Sequence, residues 1–200
     1  MQDLRKILFN IIYKFNNFFS LNLDRLIPFV FLILTLFFVK PYIFDHKVPL
    51  PFNLLVSFYP PWKYERWPGF DAGIPNKPLG QDNLKLFYPL RKFTVSQLKL
   101  HKLPLWNPYV FAGNVHLATY QSAVFYPLNI LYQLLPMVDA WSLIFVSQPI
   151  LAGWFTFLFL RSLKLSKKSS LLGSLGFAFS GWMLAVWEYT LVVGQSILWL

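Results

Sequence analysis

Three stretches of this chain leave it little choice of solvent. Leu26–Phe44, Ala140–Leu160 and Ser169–Trp187 are long and apolar, and a helix of about 20 such residues matches a hydrocarbon core about 30 Å thick. The second and third runs carry no charge at all. The first contains Lys40, close enough to its end for the long side chain to reach headgroups. Only 13% of the residues are charged and 56% are hydrophobic, against about a quarter charged in a soluble domain. The expectation is an all-α, polytopic membrane protein.

Short flanking loops set the direction of the spans. Arg5, Lys6, Lys14 and Arg25 precede the first run, and Arg161, Lys164, Lys167 and Lys168 lie between the second and third. Both flanks are expected in the cytoplasm, which puts residues 45–139 on the outer side. Residues 1–25 read as a cytoplasmic amphipathic segment, because no small-residue cleavage site follows a short apolar core. A fourth span over Leu117–Val138 would leave almost no turn before Ala140 and would put the 161–168 cations outside. An interfacial or re-entrant segment broken at Pro127 and Pro136 is preferred. Residues 188–200 begin a further apolar stretch without a polar end, so the chain reads as the N-terminal part of a longer protein.

The net charge of +10 does not point to nucleic acid. Nucleic-acid binders gather Lys and Arg on a soluble face, whereas these cations flank apolar runs. The chain has no Cys, which removes disulfides, thiolate metal sites and catalytic thiols. His46, His101 and His116 are too widely spread to form a metal motif. Neither a phosphate-binding glycine loop nor a serine elbow is present. Gly173, Gly176 and Gly181 suit close helix packing better than ligand binding.

The 45–139 loop is too aromatic to be a solvated linker. SFYPPWKYERW, KLFYPLRKF, LPLWNPYVFAG and ATYQSAVFYPLN favour short helices in a headgroup layer. The clearest is expected from about Pro89 to Leu100, with Leu90, Phe93 and Leu98 on one side and Arg91, Lys92 and Lys99 among the rest. Its cations fit interfacial anchoring as well as a substrate phosphate. Among the acids, Glu65 sits beside Lys63 and Arg66, and Asp139 lies at the mouth of a span, so ion pairing or solvation explains both. Asp82 stands between the turn NKPLG and the basic aromatic NLKLFYPLRK. There it could serve as a general base or metal ligand, or simply cap a short helix through Leu84–Tyr88.

Taken in order, PLPFNLLVSFYPPW, NKPLGQDNLKLFYPLRKF, LPLWNPYVFAGNVHLATYQSAVFYPLNILY, LAGWFTFLFLRSLKLS and SSLLGSLGFAFSGWM resemble the N-terminal region of the YfhO-like bacterial membrane protein family. That family is similar to the GT-C class of integral-membrane glycosyltransferases. The resemblance implies transfer of a sugar from a polyprenyl-phosphate donor to an envelope acceptor at the outer face, with a first-loop Asp activating the acceptor or organising a divalent metal. By position that Asp is Asp82. Arg91 and Lys92 would lie near the lipid-linked phosphate, and Trp106, Asn107, Tyr120, Gln121 and Tyr126 would line the sugar or acceptor site. One departure is Asn53, where family members often carry an acid; an amide is no general base at neutral pH. If two carboxylates are needed, the chain has lost one or uses Asp45 or Asp71 instead, and the catalytic expectation rests mainly on Asp82. A lipid or polymer transporter and a non-enzymatic envelope-assembly protein are the alternative expectations. Transport pathways usually need ionisable groups within spans, and only Lys40 and Glu188 occur, both near ends.

Overall fold

The structure is a computed structural model in which residues 24–45, 47–65 and 81–187 are described. Most of the amphipathic segment 1–25, together with Asp71 and the apolar run 188–200, lies outside the described residues. The chain is mostly helical with little strand. Among the described residues two stretches, Met137–Ser162 and Lys167–Val186, are by length and composition long and apolar enough to cross a membrane.

Helix α1 occupies residues 24–38. A turn at Val39 separates it from α2, Lys40–Phe44, in which Pro41 lies at the start. Pro41 has no N–H to offer the preceding turn, so the run expected as one helix over 26–44 is divided. At the first described residue of α1, Asp24 pairs with Arg161 (3.5 Å) and Lys167 (2.9 Å). These contacts bring the basic 161–168 link beside residue 24.

Helix α6 runs from Met137 to Ser162 and contains Pro149. Proline cannot donate to the carbonyl four residues back, here that of Phe145. Trp187 fills the gap: its Nε1 donates to Phe145 O at 2.8 Å, while its ring stacks on Phe145 with centroids 4.8 Å apart and planes 5° from parallel. Such a replacement donor matters because a backbone carbonyl left unpaired away from water is costly.

A short link returns the chain into α7, Lys167–Ala178, where Ser166 accepts from Ser169 N as the N-cap. The single helix expected over 169–187 is broken at Phe179–Ser180, after which α8 covers Gly181–Val186. Ser180 Oγ accepts from Met183 N at 3.3 Å, satisfying one of the donors a new helix exposes. Phe179 stacks on Phe31 and Phe38, with centroids 6.1 and 5.2 Å away. The break is thus held by a serine cap on one side and an aromatic stack on the other.

Ile27, Phe31, Ala152, Phe157, Ala178 and Met183 form the core of this helical unit. Gly153 lets α1 approach closely, since a Cβ there would sit 2.1 Å from Phe31 Cε1. Gly173 likewise admits Leu160, whereas nothing lies within 4 Å of a Cβ at Gly176 or Gly181. Close packing therefore belongs to Gly173 and not to the other two.

The remaining elements form a layer over the start of α6. They are α3 (Asn53–Phe58), a helix over 81–99 that ends as α4 (Tyr88–Lys99), a two-stranded pair and a series of short turns. Strands β1, Trp106–Asn107, and β2, Asn114–Val115, pair antiparallel with Trp106 opposite Val115. This pair departs from the all-α expectation; Pro104, Pro108 and Gly113 interrupt any helix there. Over 117–135 the chain makes turns at Tyr120–Ser122 and Pro127–Ile130 and a four-residue helix α5, Leu131–Leu134. None of these is long enough to be a span. Leu50, Phe87, Val95, Tyr126, Tyr132, Ala140, Trp141 and Ile144 form a second core that fixes the layer to the first turns of α6.

Helix α4 differs from the flat, lipid-facing helix expected over 89–100. Leu90, Arg91, Thr94 and Val95 are buried within the protein. The segment 116–132 covers this face, and nothing in the local periodicity of 89–100 announces a cover supplied so far downstream.

Candidate functional site

The helix carrying Asp82 begins at Gln81 and includes a widened π-type segment, Asn83–Phe87, before α4. The widening has a local cause. Pro89 removes a donor and crowds the carbonyl of the preceding turn, and a π turn relieves both. Gln81 ties the start of this helix to α3: its Oε1 accepts from Tyr59 Oη at 2.9 Å and from Lys85 Nζ at 2.7 Å. The Lys85 ammonium also lies 4.8 Å from the centre of the Tyr59 ring.

Asp82 is exposed and makes no capping hydrogen bond with its side chain. No ion pair among the described residues involves it. The capping role considered from sequence is therefore not the one it plays, and among the described residues its carboxylate has no partner. Next to it, Asn83 is fully buried with neither amide atom hydrogen-bonded.

Arg91 and Lys92, adjacent in sequence, part company. Lys92 is exposed, while Arg91 is 1% exposed. Nη1 of Arg91 donates to Ser122 O at 2.8 Å and Ala123 O at 3.0 Å, fastening the 120–123 turn to α4. Asn129 Nδ2 also donates to Ala123 O. Burial holds the Arg91 guanidinium down to about 10, with Tyr132 and then Tyr126 acting in the opposite direction. Burial pushes Tyr126 up to about 12 and raises Tyr132 as well, each partly offset by Arg91. At neutral pH the cluster is one cation among protonated phenols. Among the described residues, Arg91 Nε and Nη2 and the Tyr132 hydroxyl have no hydrogen-bond partner.

A second buried polar contact lies beside it. Thr94 Oγ1 donates to Leu90 O at 3.1 Å and meets His116 Nε2 at 2.7 Å. With the threonine proton committed to Leu90, His116 must donate through Nε2, which leaves Nδ1 as the basic atom. Burial, and secondarily Arg91, lowers the pKa of His116. Phe93 packs edge-on against the imidazole at 4.8 Å.

The sequence-derived candidates do not converge on one point. Arg91 and Tyr126 meet in the buried cluster; Asp82 lies on the same helix about 13 Å of rise earlier and faces outward. Trp106 is half exposed on β1, and Asn107 is buried, its Oδ1 accepting from Tyr109 N at 3.0 Å. Gln121 is exposed, and Tyr120 falls in the same short turn. Asn83, Thr94, His116, Asn129 and Tyr132 were not singled out as site residues from sequence. Asn83, His116, Asn129 and Tyr132 fall within the blocks that carry the family resemblance, whereas Thr94 lies outside them. No group of three or more potential metal ligands occurs among the described residues.

Between the layer and the long helices lies a cleft of about 440 Å³, lined chiefly by Phe38, Tyr42, Leu50, Phe145, Leu184 and Trp187. The side chains around it are mostly aromatic and aliphatic, while polar atoms also form a substantial part of its surface. No family model, curated protein or solved structure matches the chain.

Proposed function

We propose that this chain belongs to a polytopic, GT-C-like membrane glycosyltransferase of the YfhO-like type. In this reading it transfers a sugar from a polyprenyl-phosphate donor to an envelope acceptor at the outer face. The observation that carries the proposal is the Asp82 carboxylate, exposed and without a hydrogen-bond or ion-pair partner among the described residues, on a helix that Arg91 fastens to the 120–123 turn. A base so placed takes the acceptor hydroxyl proton as that oxygen bonds to the anomeric carbon. The glycosidic bond to phosphate breaks at the same carbon, and the polyprenyl phosphate leaves with the bonding electrons. A divalent metal held in part by Asp82 is the alternative role for the same carboxylate.

The exposed Lys92 is the cation available to a lipid-linked phosphate, while Arg91 acts as a positioning residue through its hold on the 120–123 turn. Trp106, Tyr120 and Gln121 remain the candidates for sugar or acceptor contact, with Asn107 and Tyr126 supporting them from buried positions. The aromatic and aliphatic side chains of the cleft offer the isoprenoid chain a partly apolar surface. In membranes containing the full protein at matched abundance, Asp82→Asn is expected to lower transfer from a polyprenyl-phosphate-linked radiolabelled sugar by at least about 100-fold. Unimpaired transfer contradicts the proposal.

A further inference from the structure

The β1–β2 hairpin and its approaches expose a concentration of apolar side chains. Phe111 is 92% exposed, Tyr109 83% and Trp106 55%, and Leu103, Leu105 and Val115 are also exposed. An apolar cluster of this kind marks a contact surface.

The hairpin is built to hold its shape. Phe111 and Ala112 adopt positive φ of 50° and 58°, followed by Gly113 at 124°. The first two pay a steric penalty that local structure must offset, a feature associated with function when the strained residue is displayed. Gly113 N donates to Val110 O at 2.8 Å, and the Trp106 ring lies so close to Gly113 that a Cβ would fall 2.5 Å from Cζ2. At its base, His116 N donates to Leu105 O, and Tyr109 meets Phe93 of α4 edge-on at 6.0 Å.

Charge identifies the partner. Residues 83–138 contain no Asp or Glu, and Lys99 and Lys102, with His101 between them, stand exposed where α4 leads into the hairpin. Aromatic side chains with polar edges beside lysines suit the headgroup layer of an anionic bilayer, where ring and cation are satisfied together.

We propose that residues 103–116 form a membrane-docking finger. It seats Trp106, Tyr109 and Phe111 in the headgroup layer of an anionic leaflet, with Lys99 and Lys102 on lipid phosphates. The element that meets lipid is then the hairpin, and not α4. The proposal rests on α6 being membrane-embedded.

Because the chain has no Cys, one cysteine introduced as Phe111→Cys can carry a polarity-sensitive fluorophore in the full protein. Tyr109→Cys provides a second probe, and Leu143→Cys, at an exposed position of α6, reports on the helix. The protein is reconstituted into phosphatidylcholine vesicles with and without phosphatidylglycerol. The finger labels are expected to be quenched by shallow spin-labelled lipid and shielded from aqueous iodide. Adding Lys99→Glu and Lys102→Glu should weaken lipid quenching by about twofold or more in the anionic vesicles. Finger labels open to iodide and untouched by spin-labelled lipid, with the Leu143 label lipid-quenched, overturn the finger and leave the embedded helix standing. Finger labels protected from both quenchers overturn it in favour of a protein contact. A Leu143 label that lipid does not quench removes the embedded helix, and the finger with it.

Discussion

At the scale of single residues, His116 and Arg91 define how the layer is held. The pKa of His116 is lowered below 6.5 by burial, so the folded state resists the proton that the unfolded chain accepts. Stability is therefore fully present above the unfolded value and is lost as pH falls below it toward the lowered folded value. Hydrogen-exchange protection of residues 94–126 should drop between pH 7.5 and pH about 5, and His116→Gln should flatten that response. An equal response in both proteins would show that another group governs it. Thr94→Val leaves the imidazole without its partner and is expected to cost about 1–2 kcal/mol in a melt at pH 7.5. The sequence disclosed that Arg91 and Asp82 sit in a basic aromatic stretch, but not that one is buried and the other free. The carbonyls that hold Arg91 belong to Ser122 and Ala123, and no local pattern around position 91 reveals acceptors that far along the chain.

At the scale of elements, the long apolar helices were legible because length and charge are local properties. Met137–Ser162 contains the whole of the expected 140–160 run. The interruption at Phe179–Ser180 was not read, since it depends on stacking against Phe31 and Phe38 from a different helix. The hairpin was missed for a related reason: two residues per strand give no alternation to detect. Two glycines make the role of helix approach testable. Gly153→Ala drives a methyl group into the Phe31 ring and should destabilise the protein by about 1–3 kcal/mol. Gly176→Ala meets open space and should be neutral or stabilising by up to about 1 kcal/mol through helix propensity. Thermal melts in one detergent distinguish them, and similar losses at both sites would refute close packing at Gly153. Trp187→Phe keeps an aromatic ring on Phe145 but removes the donor to its carbonyl. A loss of about 1–3 kcal/mol is expected in the same assay, whereas an unchanged melt would mean that the Pro149 gap is satisfied another way.

At the scale of the whole molecule, two cores divide the labour. One binds α1 to the α6–α7–α8 unit, and the other binds the aromatic layer to the beginning of α6. Met137–Ser162 is a single helix of 26 residues, about 39 Å of rise, which is enough to carry the chain from one headgroup region to the other. Its two ends differ in chemistry: the basic 161–168 link meets Asp24 at one, and the layer with Asp82 and the hairpin gathers at the other. The membrane proposal requires these ends to face different compartments. Single cysteines introduced as Lys168→Cys and Ala118→Cys, the latter exposed in the layer outside the hairpin, treated in intact cells with a membrane-impermeant maleimide, test this directly. The proposed topology predicts labelling of position 118 from outside and labelling of position 168 only after permeabilisation; labelling of both from the same side would contradict it.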